Sequence, residues 1–387
     1  MTLAFRNAEI ITPFRVIERG TLVVQGRMIS AVGTSDDVGV PPRARVVDCE
    51  NMMLAPGFVD VLVHGGGGYG FADMSMEAVE QISEHFFRHG TTGLLAALYS
   101  KPEREMVADV RRISEFIRSS TGTNVWGIHL EGPFINRELH GAMKVDYLWE
   151  PSVEGWNRLY EASRGSIRLM TLAPELPGMG EVMRAAAKDG VVLSIGHSCA
   201  DYQDVLMGID NGVAHVTHMF NAMRAFHHRE PGVLTAALLH DELKVELIAD
   251  GIHVHPAVMK LIYRIKGDGG IVLITDAIRA SGMPDGDYTF MDQKIHVKDK
   301  RAYLGDGTLA GSTLTMEVAV RNMVRLAEVP VTHAVRMGSL NGAKVLGLSS
   351  HKGILAVGKD ADLVLMNRDF EVQMTVSEGE IRYSRLE

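Results

Sequence analysis

The sequence predicts a (β/α)8 barrel of the TIM-like kind with a small β-sandwich built from both chain termini. Three observations carry the prediction: eight short apolar segments separated by helix-length stretches, chemically reactive residues at the ends of several of them, and alternating apolar and polar residues at both ends of the chain. The segments are Phe58 to Val63, Gly93 to Ala97, Val125 to Leu130, Ile167 to Leu172, Val191 to Ile195, Val213 to Val216, Lys244 to Ile248 and Ile271 to Ile274. Most are rich in Val, Ile and Leu, the pattern of parallel strands buried on both faces and joined by crossover helices. In a closed barrel, reactive groups gather where strands give way to loops. This chain places His64, Glu131, His197, His218, His253 and Asp276 at or just past those points.

Between the strands the spacing predicts helices at Met76 to His89, Pro102 to Ser119, Met179 to Asp189, Tyr202 to Asn211, Gly232 to His240 and Pro256 to Ile265. Two more, Met316 to Ala327 and Thr332 to Leu346, follow the eighth strand and are expected outside the barrel. The run AFRNAEIITPFRVIERGTLVVQGRMISAVG and the stretch DADLVLMNRDFEVQMTVSEGEIRY alternate in period two between turn residues. Neither piece alone has enough strands for independent stability. The expected organisation is therefore residues 1–55 and 353–387 forming one β-sandwich beside a barrel of residues 56–352. Loops from Asn136 to Glu150 and from Asn221 to Pro231 are long enough to shape a substrate site.

Bulk properties exclude several functions. A chain of 387 residues with 46% apolar and 22% charged residues is enzyme-sized and globular, neither disordered nor fibrous. The formal charge of −9, with no long basic run, disfavours nucleic acid and anionic membrane as partners. An anionic substrate then needs a local cationic pocket. Two cysteines, Cys49 and Cys199, are too few for a disulfide framework, which fits a reducing cytoplasm. With no signal-like start and no apolar run near the ~18 residues of a spanning helix, neither export nor membrane insertion is expected.

The chemistry is read from three constellations. Glu131 in GIHLEGPF, His197 in SIGHS and His218 in VTHMFNAM each follow an apolar strand at the same rim. One carboxylate and two imidazoles suit a borderline divalent cation with a position left open for water. Singly, each is an ordinary polar residue at a strand end; three at one rim point to a metal. Asp276 on the last strand can face that metal as acid and base, although a helix N-cap would also account for it. Arg224, His227, His228 and Arg229, with His253 and His255, form a local cationic excess fit for an anion such as phosphate. A solvated loop with incidental charges accounts for the same residues equally well.

The motifs PGFVDVLVHGGGG, HLEGPFIN, GHS, THMFNAM, REPG, ADGIHV, TDA, LAGSTLTM and GKDADLVL occur in order over nearly the whole chain. They resemble the N-acetylglucosamine-6-phosphate deacetylases of the amidohydrolase superfamily. The resemblance implies a hydrolase with Glu131, His197 and His218 as metal ligands and Asp276 as the acid-base residue. It implies sugar-phosphate contacts at Asn221, Ala222 and His253, and a homodimer in which Arg229 reaches the phosphate of the neighbouring subunit, with His228 a lesser candidate. Two positions depart from the pattern: Leu62-Val63-His64 stands where two-metal members carry His-x-His, and His140-Gly141-Ala142-Met143 stands where Lys-Gly-Ala-His is usual. One divalent ion per chain is expected, Zn²⁺ first and Fe²⁺, Mn²⁺ or Co²⁺ as alternatives, with His64 as an additional ligand or support and His140 and Ala142 near the substrate. The competing readings are an amidohydrolase for another N-acyl amino sugar or a cyclic amide, and an inert scaffold.

Overall fold

In a computed structural model, described for residues 2–386, all eight barrel strands form. They are Phe58–Val63, Thr91–Tyr99, Val125–Glu131, Ile167–Leu172, Val192–Ile195, Val213–Val216, Lys244–Ile248 and Ile271–Ile274, each parallel to its neighbour. Nearly every residue in them is buried, because helices cover the outside and side chains fill the inside. The seam between the eighth and first strands is held differently. Its ladder is a single bridge, Val63 with Ala277, supported by Asp276 N donating to Leu62 O at 3.0 Å. The buried Asp60 carboxylate supplies acceptors that a neighbouring strand would otherwise offer, taking Thr275 N at 3.2 Å and Thr275 Oγ1 at 2.5 Å. Burial pushes the pKa of Asp60 up to about 7 despite these hydrogen bonds.

Four of the helices begin where a side chain satisfies free N–H groups of the first turn. Ser75 caps Met76–Arg88, Asp201 caps Tyr202–Asp210, and His255 caps Pro256–Lys266. The expected helix Thr332 to Leu346 is two, Val331–Gly338 and Leu340–Val345, broken at Ser339. There Ser339 Oγ donates back to Val335 O at 2.6 Å, and its backbone leaves the helical region. A helix absent from the sequence reading, Val153–Ser163, is capped by Ser152 and buries Trp156, Leu159 and Ala162.

The terminal segments build one curled eight-stranded sheet. Its main path runs Glu380–Ser384, Val372–Ser377, Leu363–Met366, Met53–Pro56, Thr2–Ile11, Val16–Gln25 and Met28–Thr34, with Arg45–Asp48 paired to Thr2–Ile11. Ala361 N donates to Arg27 O and Gly358 N to Ile29 O, so the Met28–Thr34 edge meets the loop that precedes Leu363–Met366, and the sheet covers a separate apolar core containing Leu3, Phe5, Leu22, Leu363 and Met374. Lys352 joins the two bodies: its Nζ lies 2.7 Å from Asp362 and 5.0 Å over the ring of Trp126 on the third barrel strand. Among the described residues, no helix is long and apolar enough to cross a membrane.

A small sheet was not anticipated either. Between the eighth strand and the helix Met316–Arg325, the chain forms an antiparallel three-stranded sheet of Gly286–Phe290, Gln293–Lys298 and Arg301–Tyr303. Ile295, Val297 and Ala302 pack toward Ala142 and Met143, and Gln293 Nε2 donates to Ala142 O at 2.7 Å. The sheet therefore stands against the loop that follows the third barrel strand, beside the barrel mouth.

Candidate active site

The third, fifth and sixth barrel strands end in residues that converge on one point. His197 Nε2 and His218 Nε2 each lie 3.2 Å from Glu131 Oε1, and 3.1 Å from each other. His197 Nδ1 is 2.8 Å from Leu139 O, a group that can only accept, so Nδ1 carries a proton and Nε2 is the nitrogen turned toward Glu131. Tetrahedral zinc with nitrogen and oxygen ligands at about 2.0–2.1 Å places its ligand atoms roughly 3.3 Å apart. The three side chains match that spacing and are all buried, so they fit a divalent cation. Burial opposes charge on Glu131, but hydrogen bonds from His197 and His218 outweigh it and hold the carboxyl well below the usual carboxylate range.

The backbone at this rim is strained where the chemistry sits. His197, His218 and Asp276 have φ of +50°, +29° and +51°, values few non-glycine residues adopt and which persist only when surroundings fix them. For Asp276 the surroundings are Leu62 O, which accepts its N–H, and Ser312, whose N–H donates to Asp276 O at 2.8 Å. Gly311 beside it is also at positive φ, and a Cβ there would lie 2.4 Å from Ile278. No helix begins after Asp276 before Met316, so the N-cap account does not apply.

His64 lies between the two halves. Its Nε2 is 3.3 Å from both Glu131 Oε2 and Asp276 Oδ1, although neither contact has hydrogen-bond alignment and both ring nitrogens are otherwise unpartnered. Leu62 belongs to the apolar core and does not line the cavity.

A cavity of about 430 Å³ opens over these groups. Of the residues singled out from sequence, His64, Glu131, His140, Ala142, His197, His218, Asn221, Ala222, His253 and Asp276 all line it. His253 donates from Nδ1 to Asp250 Oδ2 at 2.6 Å, which fixes its ring. His140 does the same toward Met143 O at 2.6 Å. Arg229 and His228 are exposed, 2.9 Å apart, and outside the cavity of their own chain. Arg224 pairs with Glu230, and His255 is occupied as a helix cap.

Residues missed in the sequence also line the cavity: Phe290 and Met291 from the three-stranded sheet, and Asp306 and Thr308 from the segment after it. The LAGSTLTM run was the available signal for Leu309 and Gly311. Nothing marked the strands before it.

The chain is similar to known proteins over nearly its whole length. The model of the amidohydrolase family matches residues 53–382. The chain is 36% identical over 386 residues to an N-acetylglucosamine-6-phosphate deacetylase of Bacillus subtilis, covering 99% of this chain and 97% of that one. It is 32% identical over 382 residues to an N-acetylgalactosamine-6-phosphate deacetylase of Escherichia coli O157:H7, covering 98% and 99%. Among solved structures, a mutant N-acetyl-D-glucosamine-6-phosphate deacetylase of Mycobacterium smegmatis, in complex with N-acetyl-D-glucosamine 6-phosphate, superposes with a TM-score of 0.93 at 32% identity, covering 99% of this chain and 100% of that one.

Proposed function

The chain belongs to the amidohydrolase family and, within it, to the N-acetylglucosamine-6-phosphate deacetylases, and from that we infer that it hydrolyses N-acetylglucosamine 6-phosphate to glucosamine 6-phosphate and acetate. The observation that carries the reading is the buried Glu131, His197 and His218 group opening onto the same cavity as Asp276. Bound there, one divalent cation, Zn²⁺ by ligand type with Fe²⁺, Mn²⁺ and Co²⁺ as alternatives, would polarise the amide carbonyl and lower the pKa of the attacking water. Asp276 takes the proton from that water as the C–O bond forms, then returns it to the amine nitrogen as the C–N bond breaks. Asn221, the backbone at Ala222, His253, His140 and Ala142 hold the sugar phosphate. Phe290 and Met291 add an apolar wall to the same cavity. The two free cysteines support a reducing, cytoplasmic setting.

No Lys or Arg lines the cavity, yet the substrate carries a phosphate. Arg229 of the partner subunit supplies the missing cation in a homodimer, with His228 beside it. Arg229→Ala is expected to raise KM about 10- to 100-fold with a smaller change in kcat, the size of one charged hydrogen bond. Mixing Arg229→Ala chains with Asp276→Asn chains should restore activity, because one site of the mixed dimer is intact. Absence of complementation, with exchange of subunits verified by mass, would place Arg229 elsewhere.

A second reading, N-acetylgalactosamine 6-phosphate as substrate, is favoured by the relative of that name. Acetate release from both sugar phosphates and from unphosphorylated N-acetylglucosamine, by metal-stripped protein titrated with Zn²⁺, separates the readings. Expected is activity saturating near one Zn²⁺ per chain with N-acetylglucosamine 6-phosphate preferred. Inactivity at every loading would sink the proposal.

A further inference from the structure

We propose that Glu175 is the positioning residue that sets His197 as a metal ligand; the inference rests on the metal reading of the site above. Glu175 lies in the loop after the fourth barrel strand and does not line the cavity, so it is not placed to touch substrate or metal. Its carboxylate instead collects donors from two other loops. Oε1 accepts from Asn136 Nδ2 at 2.9 Å and from Cys199 N at 2.6 Å, and Oε2 accepts from Ser198 Oγ at 2.7 Å. Ser198 and Cys199 directly follow His197.

The contacts close into a ring. Asn136 N donates to His197 O at 2.9 Å, and Asn136 Oδ1 accepts from Glu138 N at 2.9 Å to cap the short turn Arg137–Leu139. That turn delivers Leu139 O to His197 Nδ1. The group that fixes the ligand's tautomer and ring plane is thus itself fixed by Glu175 through Asn136, while Glu175 holds the far side of the ligand through Ser198 and Cys199. The loop is also packed against the ring: a Cβ on Gly141 would come within 3.0 Å of His197 Cε1.

An anchor is needed here because His197 occupies left-handed backbone, which relaxes unless neighbours hold it. Groups that orient a ligating histidine typically contribute 10- to 100-fold to metal affinity. A carboxylate accepting three donors is a strong anchor, since charge-assisted hydrogen bonds are roughly twice as strong as neutral ones.

The test is Zn²⁺ affinity by competition with a chromophoric chelator, on full-length protein, with Tm of the zinc-saturated forms alongside. Glu175→Ala is expected to weaken Zn²⁺ binding about 10- to 100-fold, while kcat at saturating Zn²⁺ stays within a few-fold of wild type. Glu175→Gln keeps an oxygen for Asn136 and Cys199 and should recover most of the affinity. If Glu175→Ala does not fold, Asn136→Ala opens the same ring and should show the same weakening. Wild-type affinity in the variant that folds, with only Tm lowered, would make Glu175 a structural residue and overturn the proposal. A wild-type chain that binds no Zn²⁺ would overturn the metal reading as well, so the two failures are distinct.

Discussion

Asp276→Asn should lower kcat about 10²- to 10⁴-fold, the range of general acid-base catalysis, while leaving Zn²⁺ content and substrate affinity within a few-fold of wild type. The side chain is nearly enclosed, and its main chain is pinned on both sides by Leu62 O and Ser312 N, so an isosteric amide should occupy the same place. What the amide cannot do is carry the water's proton to the amine. Turnover and metal content measured on one preparation decide the matter. Turnover within tenfold of wild type would remove Asp276 from the proton path, and loss of bound Zn²⁺ would make it a ligand.

Glu131→Ala should abolish stoichiometric metal binding and reduce activity by about 10³-fold or more. Glu131 is the carboxylate that both ligand histidines face, and its removal leaves two imidazole nitrogens 3.1 Å apart without the oxygen they share. Several kcal/mol of charge stabilisation accompanies a catalytic cation, and about 1.4 kcal/mol corresponds to a decade in rate. Metal analysis after gel filtration, with activity at added Zn²⁺, measures both effects. A Glu131→Ala chain that keeps one tightly held Zn²⁺ would mean that the cation sits elsewhere.

The barrel was legible because its strands are sealed on both faces, so runs such as Ile167–Leu172 are apolar throughout and the switch to a polar residue marks the rim. Glu131, His197, His218 and Asp276 were singled out by that switch, and the structure brings them to one cavity. The three-stranded sheet was not, although Ile295 and Val297 point inward while Lys294, His296 and Lys298 face solvent. Its two turns place Met291-Asp292 and Asp299-Lys300 at positive φ, where hairpins usually advertise themselves with Asn-Gly or Asp-Gly. Without that punctuation the alternation reads as a polar loop. Val153–Ser163 was missed despite Ser152 at its cap, because its start lies just after the stretch read as loop. Glu175 was beyond reach of any local pattern: its partners lie 39, 23 and 24 positions away and meet only when three loops are brought together by the closed barrel.

The curled terminal sheet sets an order of events during synthesis. Met53–Pro56 leaves the ribosome early, yet the strand that pairs with its far edge, Leu363–Met366, is translated about 300 residues later. At about 5–20 residues per second, that edge waits on the order of 15–60 s with its hydrogen-bonding groups unclaimed. Meanwhile the whole barrel can be completed, including the seam at Asp60 and Thr275. The nascent chain is therefore most vulnerable to edge-to-edge association at its first strands, and an early stop that removes Leu363–Met366 would leave a finished catalytic barrel tethered to a permanently open sheet.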